Sequence, residues 1–257
     1  MTMHQTILDN LDRIEQQHNI TILWACESGS RAWGFASPDS DYDVRFIYAH
    51  KPGHYIRVFD QRDVIEEPID GLLDINGWDI KKALGLLRKS NPALMEWLSS
   101  PIIYRQHAAV APLQALSRSA FLPMSSCHHY LSMARQDINK LVDSRDIRLK
   151  KYLYVLRPLL ATLWIEQGRG VAPMPFQELV DAIVTDSDLL GAIDQLLAIK
   201  RAVGEGEHGS PFPIINAFID AELSRLETVL PPVLRDTDYS ILDRLLMDTV
   251  LAGETKK

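Results

Sequence analysis

Gly29-Ser30-Arg31-Ala32-Trp33-Gly34-Phe35-Ala36-Ser37-Pro38-Asp39-Ser40-Asp41-Tyr42-Asp43 decides how this chain is read. Residues 20–26, Ile-Thr-Ile-Leu-Trp-Ala-Cys, are apolar and partly β-branched, and they predict a buried strand. Gly29 then permits a tight turn that few other residues tolerate. Ser30 supplies a hydroxyl, and backbone amides opening the next short helix face any anion held there. A second strand is predicted over 42–48. Residues two apart share a face of a strand, so Tyr42, Val44, Phe46 and Tyr48 point to the core while Asp41, Asp43 and Arg45 point the other way. Two carboxylates on one pleat repel each other unless a cation lies between them. Hard oxygen ligands of this kind suit Mg²⁺, which also takes oxygens from substrate phosphates.

Two plainer readings compete with this one. Asp39-x-Asp41-x-Asp43 has the start of a calcium loop, but the required glycine falls at Val44 and the closing glutamate at His50, so that reading fails. A solvated acidic turn accounts for Asp39 and Ser40. It does not account for acids interleaved with Tyr42, Val44 and Phe46.

Together these motifs resemble the polymerase-β nucleotidyltransferase superfamily: Gly-Ser, a gap of about ten residues, then Asp-x-Asp between apolar residues. The fuller string from Glu27 through Arg45 resembles the bacterial RNA-repair-associated nucleotidyltransferases, often labelled RlaP. The likeness continues through Asp74-Ile75-Asn76-Gly77-Trp78-Asp79, Lys89-Ser90-Asn91-Pro92 and Glu96-Trp97-Leu98. After Pro123 it is confined to Lys150-Lys151-Tyr152 and Arg157-Pro158.

The resemblance implies an α+β fold: a small mixed β-sheet, palm-like catalytic domain at 1–122, then an all-helical domain at 123–257 that completes the nucleotide and acceptor cleft. It also implies a third carboxylate on a neighbouring strand. Asp74, a lone acid in the apolar run Leu72-Leu73-Asp74-Ile75, is the leading candidate, because such an acid is costly unless it is paired or binds a metal. Asp79 reads as an N-cap for a helix from Ile80, and Asp70 beside Gly71 as a turn. The implied chemistry uses two Mg²⁺ (or Mn²⁺) ions on Asp41, Asp43 and Asp74, with Gly29 and Ser30 holding the β- and γ-phosphates of a nucleoside triphosphate. Arg31 is read as a phosphate contact or a surface arginine, and Arg45 as orienting a carboxylate or forming a structural ion pair. Lys150, Tyr154 and Arg157 share one helical face, with Lys151 a step away. By resemblance Lys150, Lys151 and Arg157 contact phosphate and Tyr154 stacks on the base; the alternative is a solvated basic face with an aromatic core residue. The implied acceptor is an RNA 3′ end. A protein side chain or a small molecule is the alternative, and a nucleotide-binding interaction protein without turnover is a third.

Composition bounds the rest. The formal charge of −7 excludes a protein that coats duplex nucleic acid through its whole surface. A local patch survives that test: Arg135, Lys140, Arg145, Arg148, Lys150, Lys151 and Arg157 stand against Asp137, Asp143 and Asp146, an excess of four positive charges. No apolar run approaches the length of a membrane span, and residues 1–17 lack an apolar signal core. Cys26 and Cys127 are the only cysteines, which fits a reducing cytoplasm. Oligomeric state is not legible. Helices are expected at 6–18, 79–89, 125–142, 147–167, 176–183, 188–203, 212–230 and 241–251, another from Asn91-Pro92, and one ending near Phe121. Further strands are expected at 72–76 and 101–104, with an irregular hairpin at 55–70. Pro158 is expected to kink its helix or open its second half. Trp33, Trp78, Trp97 and Trp164 read as core, Trp33 also as a pocket wall.

Overall fold

The computed structural model describes residues 2–138, 147–203, 208–231 and 239–251. Two compact units emerge. The first holds Met1–Gly29, Asp41–Phe121 and the C-terminal segment that carries helix Ser240–Leu251; the second holds Ser30–Ser40 and the chain from Leu122 onward to Leu234. A cut at residue 122 follows chain order, whereas these units follow packing. The eleven residues of Ser30–Ser40 pack with the helical part, and the last helix packs with the sheet part.

The first unit begins with α1 (Met3–His18), capped by the Thr2 hydroxyl, which accepts from the Gln5 amide at 3.3 Å. Asn19, left-handed at φ 50°, ends it and turns the chain into β1 (Ile20–Ser28). Ile7, Leu11 and Ile14 recur at helical spacing and are fully buried against one sheet face. That burial stabilises the unit by about 1.5–3 kcal/mol per side chain. The sheet has five strands in the order β3-β4-β2-β1-β5, namely β3 (Val64–Glu66), β4 (Leu73–Asp79), β2 (Tyr42–His50), β1 and β5 (Ile103–Gln106). β2 runs antiparallel to β1 and parallel to β4, so the sheet is mixed.

The expected alternation along β2 holds. Val44, Phe46 and Tyr48 join the core beneath α1, with Tyr42 packed at its edge. The opposite face divides in two. Toward one end Trp24, paired in register with Ile47, meets α4 (Pro92–Ser99): the Trp24 indole donates to the Trp97 carbonyl at 2.8 Å, and Trp78 stacks on Trp97 at 3.7 Å. Toward the other end the same face carries Asp43, Arg45 and Asp74. Asp79 caps α3 (Ile80–Leu87), and Asn91 caps α4 with Pro92 in its first turn, as the sequence predicts. The expected 55–70 hairpin reduces to β3, which pairs antiparallel with β4. Helix α5 (Ala111–Ser119) and helix α11 (Ser240–Leu251) complete the unit.

Gly77 sits opposite Phe46 in the ladder, and a Cβ there would meet the Phe46 ring at 2.2 Å. Phe46 is fully buried in the core beneath α1. Gly77→Ala is therefore expected to destabilise the protein by about 1–3 kcal/mol, read as a lowered midpoint in thermal or urea unfolding. An unchanged midpoint would show that the ring can yield.

In the second unit the short helix α2 (Gly29–Trp33), which leaves the sheet at Gly29, leads into the Ser30–Ser40 segment. Phe35 meets Phe176 edge-on at 5.6 Å, and the Lys200 ammonium, 2 % exposed, donates to the Ser37 hydroxyl at 2.7 Å. Around it lie α6 (Pro123–Ile138), α7 (Lys150–Glu166), α8 (Phe176–Ile183), α9 (Ser187–Val203) and α10 (Pro213–Val229). Two expectations are corrected. The helix predicted from 147 starts at Lys150, because Ile147–Arg148 (β6) pairs with His208–Gly209 (β7) in a two-residue ladder. Pro158 does not open a second helix: α7 runs unbroken from Lys150 to Glu166 with Pro158 inside it. Residues 139–142 of the helix predicted over 125–142 lie outside the described residues. Cys26 and Cys127 are free and buried, and burial pushes both thiols up to about 12. No helix among the described residues is long and apolar enough to cross a membrane.

Candidate active site

The parallel register of β2 and β4 sets Asp43 directly beside Asp74. Both carboxylates are partly exposed, at 27 % and 33 %. Arg45, two residues along β2 and on the same face, donates to both: 2.8 Å to Asp43 Oδ1 and 2.7 Å to Asp74 Oδ2, with a further bond of 3.0 Å to the Asp74 carbonyl. One guanidinium nitrogen, Nη2, thus bridges two acids from different strands, while Nη1 anchors the group to the Asp74 carbonyl. Of the two sequence readings of Arg45, the structure shows the orienting contact and the ion pair to be the same interaction. Asp41 lies one residue before β2 and is exposed.

Gly29 closes against this pair. Its φ is +60°, and a Cβ built on it would lie 2.0 Å from Asp43 Oδ2. The sequence requires glycine there for the turn; the structure adds a second reason, the carboxylate resting on the bare Cα. Asp43 is also held through its backbone. Its amide donates to Glu27 Oε1 at 2.7 Å, and the Tyr104 hydroxyl from β5 donates to Glu27 Oε2. The Ser100 hydroxyl donates to the Glu27 carbonyl at 2.7 Å. Sequence reasoning missed Glu27 as a support, although a glutamate ending an apolar strand just before Gly-Ser was the available signal. Glu27→Ala leaves a half-buried amide and a half-buried hydroxyl without this acceptor, so a loss of about 1–2 kcal/mol is expected. Glu27→Gln is expected to restore most of it, since its amide can accept from the Asp43 N–H while the Tyr104 hydroxyl turns to accept. Chemical unfolding of the two variants tests the pair, and equal losses would remove the hydrogen-bond account.

The other acids considered from sequence separate cleanly. Asp70 closes a turn through reciprocal backbone bonds with Leu73, at 3.1 and 2.9 Å. Asp79 lies at the far end of β4 and accepts from the Lys81 amide at 2.7 Å as the cap of α3.

Within the second unit, Ser30 is buried, and Arg31 donates to the Ser40 carbonyl at 2.7 Å, bracing the segment that follows. Trp33 is flanked by Tyr154, edge-on at 5.8 Å, and by the Arg157 guanidinium, 4.7 Å above its ring. Arg157 is buried and donates to the Met174 carbonyl at 3.2 Å. Lys150, Lys151 and Tyr154 are part-exposed along α7. Of the basic patch, Arg135 pairs with Glu227 at 2.7 Å and Arg148 contacts His208 at 3.3 Å. Lys140, Asp143, Arg145 and Asp146 lie outside the described residues.

The small mixed sheet brings two acids into register beside a Gly-Ser turn, and the family match gives the class, a nucleotidyltransferase of the polymerase-β type. The chain belongs to the RlaP family, described as the RNA repair pathway DNA polymerase beta family, whose model matches residues 3–248. It is 44 % identical over 251 residues to the uncharacterized protein YcgL of Bacillus subtilis (strain 168), covering 96 % of each chain. Among solved structures it overlays on a nucleotidyltransferase-like protein from Exiguobacterium sibiricum 255-15 with a TM-score of 0.32 and 14 % identity, over 96 % of this chain and 77 % of that one.

Proposed function

We propose that this protein transfers a nucleoside monophosphate from a nucleoside triphosphate to the 3′ hydroxyl of an RNA, with release of pyrophosphate. The observation that carries the reading is the Asp43–Asp74 pair, in register, part-exposed and already compensated by one cation. An all-oxygen donor set of this kind fits Mg²⁺ or Mn²⁺, with Asp41, Asp43 and Asp74 as the residues that hold two ions. Bound there, the ions supply Lewis-acid stabilisation of charge at the α-phosphorus and a lowered pKa for the attacking hydroxyl. The chain's own residues do the rest. Arg45 keeps the two carboxylates apart at a fixed distance. Glu27 fixes the strand that bears Asp43. Gly29 and Ser30 offer backbone and hydroxyl donors to the β- and γ-phosphates. The acceptor hydroxyl attacks the α-phosphorus, its proton passes to a carboxylate of the cluster, the α–β anhydride bond breaks, and pyrophosphate leaves. By resemblance, Lys150 and Lys151 serve the triphosphate and Tyr154 the base, with Arg31 a further candidate for phosphate; Arg157, expected on the phosphates as well, is buried over the Trp33 ring, and its part is to hold that ring. RNA as acceptor rests on the family description and on the local excess of basic residues.

The test offers α-labelled and γ-labelled nucleotides with Mg²⁺ or Mn²⁺, and RNAs with different 3′ ends beside a cell lysate. α-Label on RNA is the expected result. α-Label on protein or a small molecule keeps the chemistry and replaces the acceptor. γ-Label transfer means a kinase and overturns the reading.

A further inference from the structure

At the opposite end of the same strands lies a second polar cluster. His50 ends β2, His54 lies in the 3₁₀ turn Pro52–His54, and Asp79 ends β4, so chain segments distant in sequence converge on one point. One nitrogen of each imidazole and one Asp79 oxygen all lie within 4.8 Å of one another. Asp74 and Asp79 are five residues apart on one strand, so this cluster stands about 16 Å from the acid pair at about 3.3 Å per residue.

We propose that His50, His54 and Asp79 bind a single divalent transition-metal ion of the Zn²⁺ kind, with a remaining coordination position open to solvent. Four observations converge on this. First, Asp79 is only 3 % exposed and, among the described residues, makes no ion pair with Arg, Lys or His; its carboxylate has the Lys81 amide and the Tyr55 hydroxyl, at 2.7 and 2.9 Å. A buried carboxylate compensated by neutral donors alone is costly, and a cation removes that cost. Second, two imidazoles with one carboxylate suit Zn²⁺, Co²⁺ or Ni²⁺ and do not suit Mg²⁺. Third, a supporting shell is present. Tyr55 donates to Asp79 and accepts from the His50 amide at 3.0 Å, tying two of the three residues together through one hydroxyl. Tyr48, whose ring meets His50 edge-on at 5.4 Å, keeps its own hydroxyl buried with no partner among the described residues. Fourth, the site is accessible: His54, Tyr55 and Asp79 line a cleft of about 470 Å³ shared with Arg57, Arg62 and Lys82.

The two imidazoles lie stacked, centroids 3.6 Å apart at 11°. Tetrahedral ligation at a Zn–N distance of about 2.1 Å sets ligand atoms about 3.4 Å apart. Binding therefore turns the rings so that a nitrogen of each faces the ion, a change of side-chain torsions and not of fold.

The experiment titrates the full-length protein with Co²⁺ and Zn²⁺, following visible Co²⁺ absorption and competition with a chromophoric chelator. The proteins compared are wild type, His54→Ala, Asp79→Asn and the double variant Asp43→Asn/Asp74→Asn. Asparagine is as good an N-cap as aspartate, so Asp79→Asn removes the ligand charge and keeps the helix start. One equivalent bound by wild type and equally by the double variant is expected. A loss of tenfold or more in affinity is expected in His54→Ala and Asp79→Asn. Equal affinity in those two variants, loss of binding in the double variant, or no stoichiometric binding by wild type overturns the proposal. Imidazole NMR of wild type gives a readout that needs no variant: ring signals of His50 and His54 that stay in place on adding Zn²⁺ overturn it equally. Neither arm uses nucleotidyl transfer, so the proposal stands or falls separately from the proposed function.

Discussion

Asp43→Asn is expected to abolish nucleotidyl transfer, by about 10³-fold or more in kcat, while the protein keeps its fold. The substitution replaces an anionic oxygen by an amide of the same size. Asp43 is part-exposed, and Arg45 retains its 2.7 Å bond to Asp74, so no buried charge is stranded. The cost to stability is expected to stay within about 1 kcal/mol, the range of an exposed or half-exposed ion pair. What disappears is half of the negative charge that the β2–β4 register brings together. At about 1.36 kcal/mol per decade, a 10³-fold loss corresponds to about 4 kcal/mol of transition-state stabilisation. Transfer of α-label to RNA, measured beside a thermal unfolding curve, checks both halves. Wild-type transfer by this variant would remove Asp43 from the chemistry and with it the two-ion assignment.

The second large effect is expected from Gly29→Ala. Two costs arise from one methyl group. The backbone at φ +60° is left-handed, which costs a residue with a Cβ about 1–2 kcal/mol. The new Cβ would also fall 2.0 Å from Asp43 Oδ2, far inside contact distance, so the carboxylate must turn away from Gly29 and from its bond to Arg45. A displacement on the order of 1 Å in a catalytic group is worth about 10²-fold in rate. Gly71 supplies the control. It has the same φ of +60° and nothing within 4 Å of a built Cβ. Gly71→Ala is expected to lose only the backbone cost and to keep transfer, whereas Gly29→Ala is expected to lose more stability, by the added clash, and to lose transfer. Retained transfer in Gly29→Ala would show that the close approach to Asp43 has no part in the chemistry.

Much of this was legible along the chain because it rests on local spacing. Period-two alternation from Tyr42 to Tyr48 is a property of one strand, and it named both the buried face and the acid face. The caps at Asp79 and Asn91 are read within three residues of themselves. Two local readings failed for tertiary reasons. Ile147–Arg148 continues the apolar pattern of α7, yet it pairs with His208–Gly209, a partner sixty residues away that no local pattern announces. Pro158 is tolerated inside α7, where Thr162 bonds to the Pro158 carbonyl at 2.9 Å and the flanking Leu156, Leu159 and Leu160 are buried in the core of the unit.

The sequence by itself determined the family, the Gly-Ser turn and the strand that carries Asp43, since each depends on residue type and spacing, and it offered Asp74 as a candidate. Register and burial needed the tertiary structure. Only the parallel pairing of β2 with β4 shows that Asp43 and Asp74 are neighbours, and only that pairing gives Arg45 two acids to hold. Glu27 gains its role from amide and hydroxyl groups on two other strands. Asp79 reads along the chain only as a cap; it joins His50 and His54 in one cluster because the sheet sets the end of β2 beside the end of β4. A strand carries its side-chain pattern in its own sequence, but the residue beside it is chosen by hydrogen bonds to another strand.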